Sequence, residues 1–95
     1  MRPYEMVVVL RADLSEEDLS GQIEAIQNWI QRNKGEIVEA KHWGRRRLAF
    51  PIKKLRDGYY IFYRLSLPAD APAELERSLR FSENVLRYLI VRQGE

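Results

Sequence analysis

GRRRLAFPIKKLRDGYYIFYRLSL, residues 44–67, is the stretch on which the fold turns. Its second half alternates: Tyr59, Ile61, Tyr63, Leu65 and Leu67 fall on one side of an extended chain, and Tyr60, Phe62, Arg64 and Ser66 on the other. Period-two alternation in β-branched and aromatic residues predicts a strand over 59–67. Asp57-Gly58 is the strongest short hairpin-turn signal in the chain. Upstream, EIVEAKHW (36–43) reads as a strand that Gly44 interrupts with a bulge or bend. The strand resumes through Arg47-Leu48-Ala49-Phe50, and Pro51 marks an edge position or the strand's end. Two antiparallel strands therefore sit at the centre of the chain.

Working outward, YEMVVVL (4–10) is short and apolar enough for a buried strand. Ser15 reads as an N-cap with Asp18 three positions on, and acids crowd the first turn, where the helix dipole favours them. Leu19, Ile23, Ile26 and Ile30 recur at helical spacing through about residue 33. Lys34-Gly35 then reads as a cation and a C-terminal glycine. After residue 67, PADAPAEL starts a second helix with Pro72 in its first turn and Leu75 and Leu79 as its inner stripe, ending near Asn84. VLRYLIVR (85–92) is the last strand. The order β-α-β-β-α-β, with right-handed crossovers, is an α+β, ferredoxin-like arrangement: a four-stranded antiparallel sheet with two helices on one face.

Ninety-five residues predict one domain, 1–95. No apolar run approaches the roughly 20 residues of a membrane-spanning helix, and Met1-Arg2-Pro3 leads straight into a strand without a signal-peptide pattern. With no cysteine, disulfides and thiolate metal sites are excluded, which fits a cytoplasmic setting. Net charge is only +2, but its distribution is uneven. Lys41 to Arg56 holds seven basic residues and no acid, whereas Asp13 to Glu24 holds five acids and no base. A molecule with one basic end is expected. Twelve of the sixteen cations are arginine, whose planar fork suits phosphates.

Catalytic chemistry finds no foothold. His42 has no second His or Cys to share a metal with, no serine lies in a nucleophile elbow, and no glycine-rich phosphate loop follows a strand. The chain reads as a non-enzyme with no cofactor, no metal and no small-molecule substrate. The sheet face away from the helices should expose Tyr60 and Phe62, together with Val7, Val9, Leu89 and Val91, an apolar patch of the size that marks an interface. RNA-recognition domains stack bases on this face, but GYYIFYRL lacks their aromatic spacing.

GRRRLAFPIKK…GYY closely resembles the signature of the bacterial small-subunit ribosomal protein six family. Gly44, Arg46, Arg47, Leu48, Ala49, Pro51, Ile52, Gly58 and Tyr59 stand where that pattern places them. MRPYE at the start and LRFSENVLRYLIVR near the end are similar too, so the likeness spans the chain. Phe50 replaces a usual tyrosine, keeping the ring and losing the hydroxyl. The resemblance implies a ferredoxin-like fold and a structural role in the ribosome, in the cytoplasm. It implies pairing with small-subunit ribosomal protein eighteen as a heterodimer, and binding to the central domain of small-subunit ribosomal RNA.

On that basis Arg2 and Arg87 are the first RNA candidates. They lie on strands expected to form the central pair, with both guanidinium groups near one end and Tyr4 in support. Arg45, Arg46, Arg47, Lys53, Lys54 and Arg56, on the long hairpin, form a second set. Strand alternation puts Arg46 on the face of Leu48 and Phe50, apart from Arg45 and Arg47. For the protein partner, the expected contacts are Trp43, Leu48, Phe50, Tyr60 and Phe62. The rival reading is a stand-alone protein-interaction module without an RNA role.

Overall fold

The computed structural model describes residues 1–94. Its elements are β1 (Arg2–Arg11), α1 (Glu16–Arg32), β2 (Glu36–Ile52), β3 (Leu55–Leu67), α2 (Ala71–Phe81) and β4 (Val85–Arg92). The strands form one antiparallel sheet in the order β2-β3-β1-β4, which is the expected β-α-β-β-α-β ferredoxin-like fold.

Local chemistry explains both helices. Ser15 is the N-cap of α1, its hydroxyl accepting the Asp18 N–H at 3.1 Å, which satisfies one of the four free donors of the first turn. At the other end the Lys34 N–H donates to Gln31 O at 2.9 Å and the Gly35 N–H to Ile30 O at 2.9 Å. These are the paired bonds of a Schellman close. The left-handed residue of that motif is Lys34, at φ 63°, and not the glycine that the sequence suggested. Pro72 sits in the first turn of α2, where its missing N–H is no loss. The helix ends at Phe81 with Ser82 as its cap, short of Asn84. Asn84 serves instead as a clasp: its carbonyl accepts the Arg11 N–H at 2.9 Å, and its amide donates to Gln22 Oε1 at 3.1 Å.

The hairpin differs from its expected form. Its turn is Lys53-Lys54, flanked by the Ile52–Leu55 pair, with φ of 51° and 67°. Positive φ at both central residues is the type I′ geometry that matches strand twist. For lysine the left-handed conformation costs roughly 1–2 kcal/mol per residue. Asp57 and Gly58 lie inside β3, opposite Arg47 and Arg46. Gly58 is there for close packing: a Cβ would collide with Val9 Cγ1 and come within 3.2 Å of Leu48 Cδ2. The bulge at Gly44 is present, with φ 82° and a register shift between His42 and Gly44.

The core lies between the helices and one face of the sheet. Met6, Val8 and Leu10 of β1 and Ile61, Tyr63, Leu65 and Leu67 of β3 pack on Ile26, Ile30, Ala71, Leu75 and Leu79 of the helices. The face assignment made from β3 alternation therefore holds. At roughly 1.5–3 kcal/mol for each large apolar side chain removed from water, this layer is the main stabilising element.

Candidate binding surface

β1 pairs with β3 only as far as Arg11 opposite Gly58. Residues 47–57 of the hairpin therefore run beyond the end of β1. This overhang carries four cations, Arg47, Lys53, Lys54 and Arg56, against one acid, Asp57. Lys53, Lys54 and Arg56 have no acidic partner within 4.0 Å among the described residues.

Alternation divides the three consecutive arginines as expected. Arg45 and Arg47 share a side with Asp57, which lies 3.5 Å from Arg45 Nη2 and 3.9 Å from Arg47 Nε. Both arginines are exposed and Asp57 is half-buried, so these surface pairs contribute little to stability. Arg46 lies on the opposite side, its guanidinium 5.4 Å from the Trp43 ring centroid. Trp43 is the extra residue of the Gly44 bulge, and the bulge lets its indole lie flat on Phe62, centroids 5.5 Å apart and planes at 7°. The face away from the helices thus carries an aromatic pair capped by a cation, a favourable arrangement for the ring quadrupole.

Toward β4 this face continues as a depression of about 200 Å³ lined by Val7, Val9, Tyr60, Arg87, Tyr88 and Leu89. Phe50 reaches over from the hairpin to Arg87, whose guanidinium is 5.9 Å from its ring centroid. The overhang therefore curls across the sheet. Its curl buries Leu48 and Val9, which are 6% and 4% exposed, so neither is free for an intermolecular contact. Phe50 and Leu89, each 60% exposed, remain open. Leu89, expected on this open face from the alternation of VLRYLIV, is exposed there, although it was not among the expected partner contacts.

Arg2 and Arg87 do not meet. Arg2 pairs with Leu67 at one end of β1 and β3, while Arg87 pairs with Val9 near the other. Seven residues of strand separate those rows, about 23 Å at roughly 3.3 Å per residue. The expectation failed on two counts. The central pair is β3 and β1, with β4 at the edge. And β1 and β4 are antiparallel neighbours, so Arg2 and Arg87, each near the start of its strand, fall at opposite ends of the pair. Tyr4 stays with the Arg2 end, opposite Arg92.

The single-basic-end picture also needs correction. Arg11 adjoins the hairpin and leads directly into Asp13 and the acidic first turn of α1, so acids and bases share that end of the sheet. Arg11 itself is engaged, donating to both Asp13 oxygens at 3.0 and 2.9 Å. That bond, with the opposite charge beside it, raises the guanidinium pKa and holds the Asp13 carboxyl below its usual range. What carries the remaining cations clear of the acids is the overhang.

These features define a class: a ferredoxin-like domain with two helices on one sheet face, an exposed aromatic patch on the other and a protruding basic hairpin. The chain belongs to the ribosomal protein S6 family, whose model matches residues 3–92. The small ribosomal subunit protein bS6 of Caldanaerobacter subterraneus subsp. tengcongensis is 46% identical over 95 residues, covering 100% of both chains. That of Thermoanaerobacter pseudethanolicus is 43% identical over the same span, with 100% of both covered. The crystal structure of 30S ribosomal protein S6 from Thermotoga maritima superposes with a TM-score of 0.91 at 26% identity, covering 97% of this chain and 87% of that one.

Proposed function

We propose that the protein is a structural component of the bacterial small ribosomal subunit, working in the cytoplasm. In this reading it binds the central domain of small-subunit ribosomal RNA together with small-subunit ribosomal protein eighteen and supports assembly of the platform. The observation that carries it is the overhanging hairpin: in a small-subunit ribosomal protein family, a domain of net charge +2 gathers unpaired cations on its most protruding element. RNA helices are met through phosphates and shape, for which such an element is suited. Arg45, Arg47, Lys53, Lys54 and Arg56 are the RNA contacts of this end, and Arg2 with Tyr4 those of the other. The partner protein covers the aromatic face at Trp43, Phe50, Tyr60 and Phe62, with Arg46 and Arg87 at its rim. The role has no catalytic step. The displaced pKa values of Arg11, Asp13 and Tyr63 trace to one surface ion pair and to core burial, which supports a structural reading.

The test is a titration of the chain against the ribosomal RNA central domain, with and without protein eighteen, over a range of salt. The expected result is weak binding alone and tight binding with the partner, with log K falling by roughly 0.7–0.9 per phosphate contact for each log unit of salt. Tight binding without the partner overturns the pairing. A complex with protein eighteen that ignores both RNA and salt favours the interaction module.

A further inference from the structure

We infer that the Lys53-Lys54 turn is a phosphate-gripping tip, held in a conformation its residues disfavour because that turn sets two unpaired ammonium groups at the outermost point of the hairpin. The inference rests on the RNA-binding reading above and deepens it. Three observations carry it.

The turn is type I′, with both lysines at positive φ. Asn-Gly at the same two positions adopts this geometry without penalty, so lysine is a poor choice for the fold alone. Strain of this kind persists where function demands the side chain. The lysines also sit at the tip of a strand pair that extends past the end of β1. They are therefore displaced from the acidic start of α1. Finally, both lysines are exposed and have no acidic partner within 4.0 Å among the described residues. Arg45 and Arg47, by contrast, are held beside Asp57. A lysine ammonium is a compact, mobile point charge suited to phosphate oxygens. The ligand chemistry is thus the phosphodiester backbone of RNA, gripped without reading bases.

The experiment compares the wild-type chain with the double variant Lys53→Asn/Lys54→Gly. A charge-matched control, Arg77→Gln/Arg80→Gln, removes two cations from α2. Thermal melting and binding to the ribosomal RNA central domain in the presence of protein eighteen are both measured. The turn variant is expected to melt about 4–8 °C or more above wild type. It should bind RNA roughly tenfold or more weakly, with a salt slope shallower by about 1.4–1.8, the loss of two phosphate contacts. The control should keep the wild-type slope. A turn variant whose affinity and slope match the control overturns the grip, and one that fails to melt higher overturns the strain. Wild-type protein that binds no RNA under these conditions removes the functional reading itself.

Discussion

Gly58 shows how one residue type carries two structural meanings. As a letter after aspartate it signals a turn, but in the folded chain it is the last β3 residue to pair with β1 and lies in close approach to Val9. Replacing it with alanine places a methyl group against Val9 Cγ1 and Leu48 Cδ2. Gly58→Ala should therefore cost about 1–3 kcal/mol in denaturant unfolding, and Val9→Ala in the same chain should recover part of the loss through direct coupling. A cost below about 0.5 kcal/mol would contradict this close approach. Tyr63 offers a second check. Its ring is core, while its hydroxyl is buried without a hydrogen-bond partner among the described residues. Burial, with a smaller contribution from Tyr59, pushes its pKa up to about 12. The unfolded phenol titrates near 10. Below that pH both states are protonated, and the stabilising contribution is fully present. Between about pH 10 and 12 only the unfolded state loses its proton, so stability falls, by on the order of 2–3 kcal/mol. Tyr63→Phe should change stability by less than about 1 kcal/mol at neutral pH and flatten this alkaline decline. Parallel pH curves for the two proteins would show that Tyr63 is not the group responsible.

At the scale of elements, legibility follows from whether an element is fixed by its own residues. Both helices were readable because the N-cap at Ser15, the Ile26–Ile30 stripe and Pro72 are local signals with local causes. The faces of β3 were readable because alternation has a period of two and one face is apolar. The Gly44 bulge was also visible, since glycine interrupts the pattern there. The hairpin turn was not. Lys53-Lys54 carries no turn signature, and Asp57-Gly58 carries a strong one four residues away. The Ile52–Leu55 pair closes the turn at Lys53-Lys54 after a register shift between Arg47 and Ile52, while Gly58 packs close to Val9 inside β3 and Phe50 lies beside Arg87. Tertiary packing therefore overrode the local preference.

For the whole molecule, the length of the β1–β3 pair, from Arg2–Leu67 to Arg11–Gly58, separates the two groups of RNA candidates. Arg2 lies at one end of the sheet and the overhang extends from the other. Sites this far apart without shared partners act independently. Under the functional reading, Arg2→Glu and Arg56→Glu should each weaken RNA binding, and the double variant should show the sum of their free-energy losses within about 0.5 kcal/mol. Larger coupling would mean that both ends grip one stretch of RNA, or that the RNA bends to bring them together.

The sequence alone determined the order of elements, the inward stripe of each helix and the sides of β3. It also marked the basic composition of the hairpin, because propensity, periodicity and charge are properties of neighbouring residues. Only the tertiary structure decided which cations stand together. The antiparallel pairing of β4 with β1 put Arg87 and Arg2 at opposite ends of the sheet. The curl of the overhang buried Leu48, laid Phe50 beside Arg87, and left Lys53 and Lys54 at the tip. Those placements depend on contacts between residues distant in the chain, which no local pattern encodes.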